Sequence, residues 1–168
     1  MAWFFSLSTT AISQIQPSDQ TTQLVASVSE AFFDQLVKED FAAERAFMSD
    51  RMASTVSANA WRQSRQQVIE IAGKTQRYSA HGLTYYGGEQ LLAAVDFSGQ
   101  TEFPDSLICG YMLWELPASN VIGLARLEQN VVSVNAFRTM PVQEAAQTMV
   151  SWRCPAKMIE DVLGFTTN

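Results

Sequence analysis

The chain has few of the residues on which most metal and nucleophile chemistry depends. It contains one histidine, His81, and two cysteines, Cys109 and Cys154. One histidine excludes a multi-histidine metal site, and two widely spaced cysteines are too few for a thiolate zinc site. The sequence also lacks a Gly-x-Ser-x-Gly elbow and a glycine-rich phosphate loop. We therefore expect no metal and no cofactor, and we interpret His81 as a structural residue, with a proton shuttle as the alternative.

Basic residues are also scarce. The chain has 11 Lys and Arg against 17 Asp and Glu, so its formal net charge is -6. Binding to a phosphate backbone needs clustered Lys and Arg, and no basic run is present. We therefore exclude nucleic acid as a partner. What the chain does have is 168 residues with a hydrophobic fraction of 47%, enough for one domain with a real core.

The first 18 residues contain no charged side chain but include the aromatic residues Trp3, Phe4 and Phe5. This stretch is too polar for a membrane span and lacks the basic start of a secretory signal, although residues 11–13 form a weak cleavage site. It fits either an arm that packs on its own domain or an arm whose aromatic side chains dock onto a partner protein. The compartment stays open: cytoplasmic, or extracytoplasmic after processing.

The two cysteines have two interpretations. Cys109 lies in an apolar strand pattern and Cys154 in a helical pattern, so both fit buried apolar positions. In an oxidising compartment they could instead form a disulfide, which would stabilise the fold by roughly 3 to 4 kcal/mol.

Helical patterns occupy the first half of the chain. A helix is predicted over residues 22–38, a second over 41–52, and a third from an N-cap at Ser57 to a stop at Gly73. The apolar residues of the first helix share one broad face. They are Leu24, Val25, Val28, Phe32, Phe33, Leu36 and Val37.

From Thr75 the apolar period changes toward two, which predicts strands. Residues 91–98 alternate, and residues 107–116 are apolar on both faces, which is typical of a central strand covered on both sides. Residues 121–137 fit either one bent strand or a hairpin about residues 128–130. Pro141 is interpreted as a first helical residue, followed by helices over 142–152 and 156–163, the last ended by Gly164. Helices followed by an antiparallel sheet predict the α+β class.

The stretch FFDQLVKEDFAAERAFMSDRM, followed by Ala60-Trp61, a helix ended at Gly73 and a strand with Tyr85-Tyr86, resembles the nuclear-transport-factor-2-like superfamily. The likeness is closest to small bacterial domains of unassigned function. It implies N-terminal helices packed on a strongly curved antiparallel sheet that forms a cone. The resulting division is an arm at residues 1–21, the cone domain at 22–138 and a helical extension at 139–168.

The resemblance does not choose an activity, because this superfamily includes isomerases and dehydratases as well as small-ligand binders and accessory domains. An isomerase would need a carboxylate base opposite an oxyanion donor in an apolar cavity. Asp96, Glu115, Tyr85, Tyr86 and Tyr111 are the residues of the right type on predicted strands. Asp96 lies near a strand end, where a solvated carboxylate is the more common outcome.

Two sets of aromatic residues are candidate binding sites. One set would line a pocket for a small apolar ligand, or else pack the core; it comprises Trp61, Tyr85, Phe97, Tyr111 and Trp114. The other set would contact a partner protein or a second copy through apolar terminal segments; it comprises Trp3, Phe4, Phe5, Trp152 and Phe165. We expect a non-catalytic accessory or assembly protein, with a small-molecule-binding or ketosteroid-isomerase-like enzyme as the alternative.

Overall fold

A computed structural model describes residues 17–88, 90–116 and 121–164. Helices α1 (Asp19–Lys38), α2 (Phe41–Arg45), α3 (Asp50–Thr55) and α4 (Ala58–Ala72) come first. Strands β1 (Thr75–Tyr86), β2 (Leu91–Thr101), β3 (Ser106–Leu116) and β4 (Gly123–Ser133) follow, and helices α5 (Val134–Thr139), α6 (Val142–Ser151) and α7 (Ala156–Leu163) complete the described chain. The strands form one open antiparallel sheet in the order β1-β2-β3-β4. The predicted α+β class is confirmed.

Local capping explains why several predicted helix ends are right. The Ser57 hydroxyl accepts the Ala60 amide at 3.1 Å, and Gly73 ends α4 with a φ of 78°. Helix α1 begins three residues before its predicted start, because the Ser18 hydroxyl caps it by accepting the Thr21 amide at 3.2 Å. Helices α6 and α7 also match the prediction, except that Pro141 is the N-cap of α6 rather than its first helical residue.

The predicted single helix over residues 41–52 is wrong. Helix α2 ends at Arg45 and α3 begins at Asp50, because residues 47–49 pair with the start of β4. The Ser49 amide donates to the Leu124 carbonyl at 2.9 Å, and the Leu124 amide donates to the Phe47 carbonyl at 2.6 Å. A Cβ at Gly123 would lie 2.7 Å from the Ser49 Cα, so this approach requires glycine.

Residues 121–137 form neither a hairpin nor one long strand. Strand β4 ends at Ser133, whose hydroxyl accepts the Ala136 amide at 3.5 Å and caps α5. Val134 and Phe137 of this short helix are buried among the C-terminal helices. The apolar residues that extended the predicted strand therefore belong to a helix packed back onto the sheet.

The sheet has two covered faces, each with its own apolar cluster. The front face packs against α1–α4, where Phe32, Met112 and Trp114 are fully buried. The back face packs against α5–α7, where Cys109, Val132 and Met149 are fully buried. The prediction that β3 is a central strand covered on both sides is therefore confirmed.

One detail of the apolar patterns differs from the prediction, and one open choice is decided. Leu24 and Val37 of α1 are 44% and 37% exposed, so the buried face of this helix is narrower than its apolar spacing indicated. The cysteines are joined: Cys109 of β3 and Cys154, just before α7, form a disulfide with a Cα–Cα distance of 5.0 Å. The two cysteines therefore form a disulfide across the back cluster rather than two buried thiols.

Within the described residues, no helix has both the length and the apolar composition to cross a membrane.

Candidate functional site

The predicted pocket residues Phe97 and Trp114 fill the space beneath α1. Both are fully buried, and the Trp114 indole donates to the Ser29 hydroxyl at 2.9 Å. The Trp114 ring lies edge-on to Phe32 with centroids 5.8 Å apart, and Phe97 lies 5.5 Å from Phe33 in the same arrangement. Aromatic pairs of this geometry are typical of core packing. These two residues therefore occupy the interior rather than line an open cavity.

The other three members of that set lie apart. The Trp61 indole donates to the Glu44 carboxylate at 2.8 Å, and the Tyr85 hydroxyl donates to the Thr22 hydroxyl at 3.2 Å. Tyr111 lies on the back face, under the guanidinium of Arg153 at 4.5 Å from its ring centroid. The structure thus does not bring the five residues together in one pocket.

A buried polar network that the sequence reasoning missed centres on Glu44 and Arg65. Both side chains are almost fully buried, and the Arg65 Nε donates to Glu44 Oε2 at 3.1 Å. The Arg65 guanidinium also donates to the Gln129 amide oxygen, and the Gln129 amide donates to the Tyr78 hydroxyl at 2.8 Å. The network connects α2 and α4 with β4 and β1. Its signal in the sequence is the position of Arg65 one turn after Trp61, on the buried face of α4, where a cation needs a carboxylate.

The carboxyl group of Glu44 is unusual in two respects. Both of its donors, from Trp61 and Arg65, reach Oε2, while Oε1 has no hydrogen-bond partner among the described residues. Burial raises the pKa of Glu44 above its ordinary value, and the charge of Arg65 and the hydrogen bonds from Trp61 and Arg65 oppose this rise. Glu44 is therefore the described carboxyl group that comes closest to a general base, but it lines none of the grooves described below.

The carboxylates that the sequence indicated are held in ion pairs. Asp96 accepts Arg153 Nη1 at 2.8 Å, while Arg153 Nη2 donates to the Tyr86 hydroxyl at 3.3 Å. The hydrogen bond from Arg153 to Asp96 raises the pKa of Arg153 further. Glu115 lies 2.6 Å from Arg51. Among the described residues, neither carboxylate faces an oxyanion donor across a cavity, which is the arrangement that an isomerase needs.

Two grooves flank the edge of the sheet at β1. The front groove, of about 510 Å³, lies between α1 and β1 and is lined by residues 78–83 of the strand and by Val25, Ala26 and Phe33 of the helix. The back groove, of about 330 Å³, lies between β1 and α7 and is lined by Arg77 and Lys157, among others. Both volumes lie in or near the range of ligand pockets. A third groove, of about 430 Å³, contains the Arg51–Glu115 pair.

His81 borders both β1 grooves. Its side chain is exposed, and its Nε2 hydrogen-bonds the Ser98 hydroxyl. Partial burial lowers the pKa of His81, and the nearby Asp96 opposes this. No carboxylate among the described residues hydrogen-bonds the imidazole, so the described residues show no orienting group of a catalytic dyad.

The candidate partner contacts fall partly beyond the described residues. Trp3, Phe4, Phe5 and Phe165 lie outside the described residues. Trp152 is half-buried and packs against Phe137, with ring centroids 5.5 Å apart. Most of the apolar face of the C-terminal helices is thus used within the chain, and Val142 and Val150 of α6 are its large exposed apolar residues.

The described part of the chain shows no group of three or more His, Cys, Asp and Glu side chains that could hold a metal ion. Comparison with protein-family models, with curated proteins and with solved structures gives no match for this chain. The geometry of its own residues is therefore the basis for a functional conclusion.

Proposed function

We propose that this chain is a non-catalytic accessory or assembly protein that binds a partner protein through apolar terminal segments. We also propose that its helices and sheet belong to the cone type of the nuclear-transport-factor-2-like superfamily. The order of helices before a meandering antiparallel sheet supports this assignment. In such a fold the function depends on what fills the space between helices and sheet.

One observation carries the proposal: the candidate acid–base groups are engaged in structural pairs, and Glu44 and Asp96 line none of the three grooves. Asp96 and Glu115 are in ion pairs, and Glu44 is enclosed by Trp61 and Arg65. General acid–base catalysis needs the group within hydrogen-bond reach of the substrate. The aromatic side chains beneath α1 fill the interior, so the space open to a small molecule on this face is the front groove at the sheet edge.

The surface of α6 supports partner binding. Val142 and Val150 are 54% and 63% exposed, although the chain can bury the rest of the apolar face of this helix. Exposed apolar residues suit contact with a partner, and the proposal includes Phe165 and the aromatic residues at positions 3–5, which lie outside the described residues. These segments are the proposed contact surface.

The test is the assembly state of the full chain, isolated in oxidised form from its source cells and measured by size exclusion with light scattering. We expect a defined assembly of mass above the 18.7 kDa of one chain. Val150→Asp and removal of residues 1–16 should each shift the mass toward the monomer. Gln147→Asp, at an exposed position of the same helix, is the matched control and should leave the assembly intact. A monomer that is indifferent to all three changes would contradict the proposal.

The alternative is a small-molecule-binding or ketosteroid-isomerase-like enzyme, and the raised pKa of Glu44 is the observation in its favour. It requires that Glu44 become accessible to a substrate despite the cover of Trp61 and Arg65. A carbon-labelled glutamate NMR titration tests this: a ligand that enters the front groove must change the titration of the Glu44 carboxyl group. An unchanged titration with the groove occupied would exclude an enzyme in which Glu44 is the base.

A further inference from the structure

The two β1 grooves border the same stretch of one strand. Ser79 and His81 line both the front groove and the back groove. The side chains of a strand alternate between the two faces of a sheet, so a cavity lined by consecutive residues 78–83 must follow the edge of the strand. The grooves are therefore the two sides of one open sheet edge.

Strand β1 is at the end of the sheet and pairs with β2 alone among the described strands. Half of the peptide groups of such a strand point away from its neighbour and are available to another chain. A peptide that binds in this way forms main-chain hydrogen bonds with the edge, and its alternate side chains enter pockets on the two faces. The edge at residues 78–83 offers both outward-facing peptide groups and a groove on each face.

We propose that an extended segment of a partner protein binds along β1 and adds a fifth strand to the sheet. The inference rests on the proposed role as a partner-binding protein, but it places a contact away from the terminal segments. Alternate side chains of the added strand enter the front groove and the back groove in turn.

The lining of each groove determines the chemistry of the segment. Val25, Phe33 and Leu83 give the front groove an apolar wall, and Glu30 at its rim has no ion pair among the described residues, so it repels an acidic side chain. In the back groove, Lys157 pairs with Asp161, whereas Arg77 donates to the Gln100 amide oxygen at 3.2 Å but forms no salt bridge within the described residues. A carboxylate of the partner would form the missing salt bridge with Arg77. The segment therefore alternates apolar and acidic residues.

The same charges argue against a second copy of this chain as the occupant. Strand β1 has the sequence TQRYSAHGLTYY, which contains no Asp or Glu to meet Arg77. Its pairing with β2 is also irregular between Ala80 and Gly82. Such bulges bend an edge and hinder the long flat pairing that two copies would need, whereas a short peptide segment can use the regular runs on either side.

The test selects a displayed library of random dodecapeptides on the oxidised full chain. Ala26→Trp fills the front groove from an exposed position of α1, and Ala31→Trp places the same side chain at an exposed position that does not line the groove. We expect enriched peptides that alternate apolar residues with Asp or Glu. They should bind the wild-type chain and the Ala31→Trp control equally, and Ala26→Trp at least about tenfold more weakly.

A charge reversal tests the back groove independently. Arg77→Glu should weaken the selected acidic peptide about tenfold and should favour a version of it in which lysine replaces the acidic residue. Arg62→Glu, at an exposed position of α4, is the matched control and should not change this preference. In NMR hydrogen exchange, the bound peptide should slow amides within residues 79–83, since strand addition hydrogen-bonds the outward-facing ones.

Three results would overturn the inference: no enrichment, selected peptides that bind Ala26→Trp as well as the wild-type chain, or binding without slower exchange in β1. A homodimer that Ala26→Trp dissociates would overturn it in favour of a second copy. In another outcome, Val150→Asp abolishes the assembly, whereas Ala26→Trp changes neither the assembly nor peptide binding. That outcome would support the proposed function and reject strand addition.

Discussion

The two faces of the sheet are held by different means. The front layer, α1–α4, packs large aromatic side chains around Trp114 and contains the buried Glu44–Arg65 pair. The back layer, α5–α7, has a smaller cluster and is fixed by the Cys109–Cys154 disulfide. A layer that buries little apolar surface needs another source of stability, and a covalent link supplies it. We therefore expect the front layer to respond most to side-chain truncation and the back layer to reduction.

Trp114→Ala should have the largest effect. The substitution removes a fully buried ring from the front cluster and leaves the Ser29 hydroxyl without its indole donor. We expect a loss of about 3–5 kcal/mol in the free energy of unfolding, measured by urea denaturation. Val142→Ala, at an exposed position, is the control and should change it by less than about 0.5 kcal/mol. Similar losses in both variants would mean that the front layer is not the main source of stability.

Glu44→Ala should come next. It removes the buried carboxyl group that accepts hydrogen bonds from Trp61 and Arg65, and breaking a buried pair from one side costs about 3 kcal/mol or more. Adding Arg65→Met should restore part of the loss, because a buried apolar side chain replaces an unpaired cation. If urea denaturation shows that the double variant is less stable than the single one, the loss does not come from leaving Arg65 unpaired.

Replacing both Cys109 and Cys154 by Ala should destabilise the chain by about 2–4 kcal/mol. The disulfide closes a loop with a sequence separation of 45 residues. Hydrogen exchange should sharpen the comparison: amides of α7 should exchange much faster in the variant, and amides of α4 should change less. Equal acceleration in the two helices would mean that the link does not act locally on the back layer.

Glu44 should give the front layer its own contribution to the pH dependence of stability. Burial raises the pKa of Glu44 above its ordinary value of 4.5, so the folded chain binds more protons than the unfolded chain between these two pKa values. The stabilisation is therefore complete below pH 4.5 and is lost as the pH rises through the folded-state pKa. The free energy of unfolding of the wild-type chain, measured as a function of pH, should decline over this range more than that of Glu44→Gln. Parallel curves would show that burial does not raise this pKa.

Arg153→Gln should have the smallest effect. The pair of Arg153 and Asp96 on the back face is partly exposed to solvent, and such pairs contribute below about 1 kcal/mol. Loss of the contact with the Tyr111 ring adds little. Urea denaturation at low and high salt should give similar small differences. A loss as large as that from removal of the disulfide would make this ion pair a main anchor of the back layer.

The sequence predicted those elements whose ends are determined locally. Ser57 and Gly73 define α4 through a side-chain cap and a positive φ, both of which depend on neighbouring residues. The break between α2 and α3 was not predictable in this way, because it depends on hydrogen bonds between residues 47–49 and Leu124, far along the chain. The end of β4 at Ser133 was missed because the apolar residues after it suit a strand and a buried helix equally.

The candidate site was harder to predict than the fold. The residue types of Phe97 and Trp114 indicated either a pocket or a core, and only the packing of α1 over the sheet decides between them. The β1 grooves arise from the position of a strand at the sheet edge, which depends on the pairing order of all strands. No local spacing around Ser79 or His81 contains that information.

The contact between residues 47–49 and the start of β4 limits how sheets of this protein can join. Growth of a fibre by edge-to-edge pairing needs a free edge at both ends of every sheet. Here the chain already occupies part of the second edge at Leu124, and Gly123 lets the backbones approach closely. Edge-to-edge association should therefore be hindered at the start of β4, which leaves β1 as the preferred edge for an added strand.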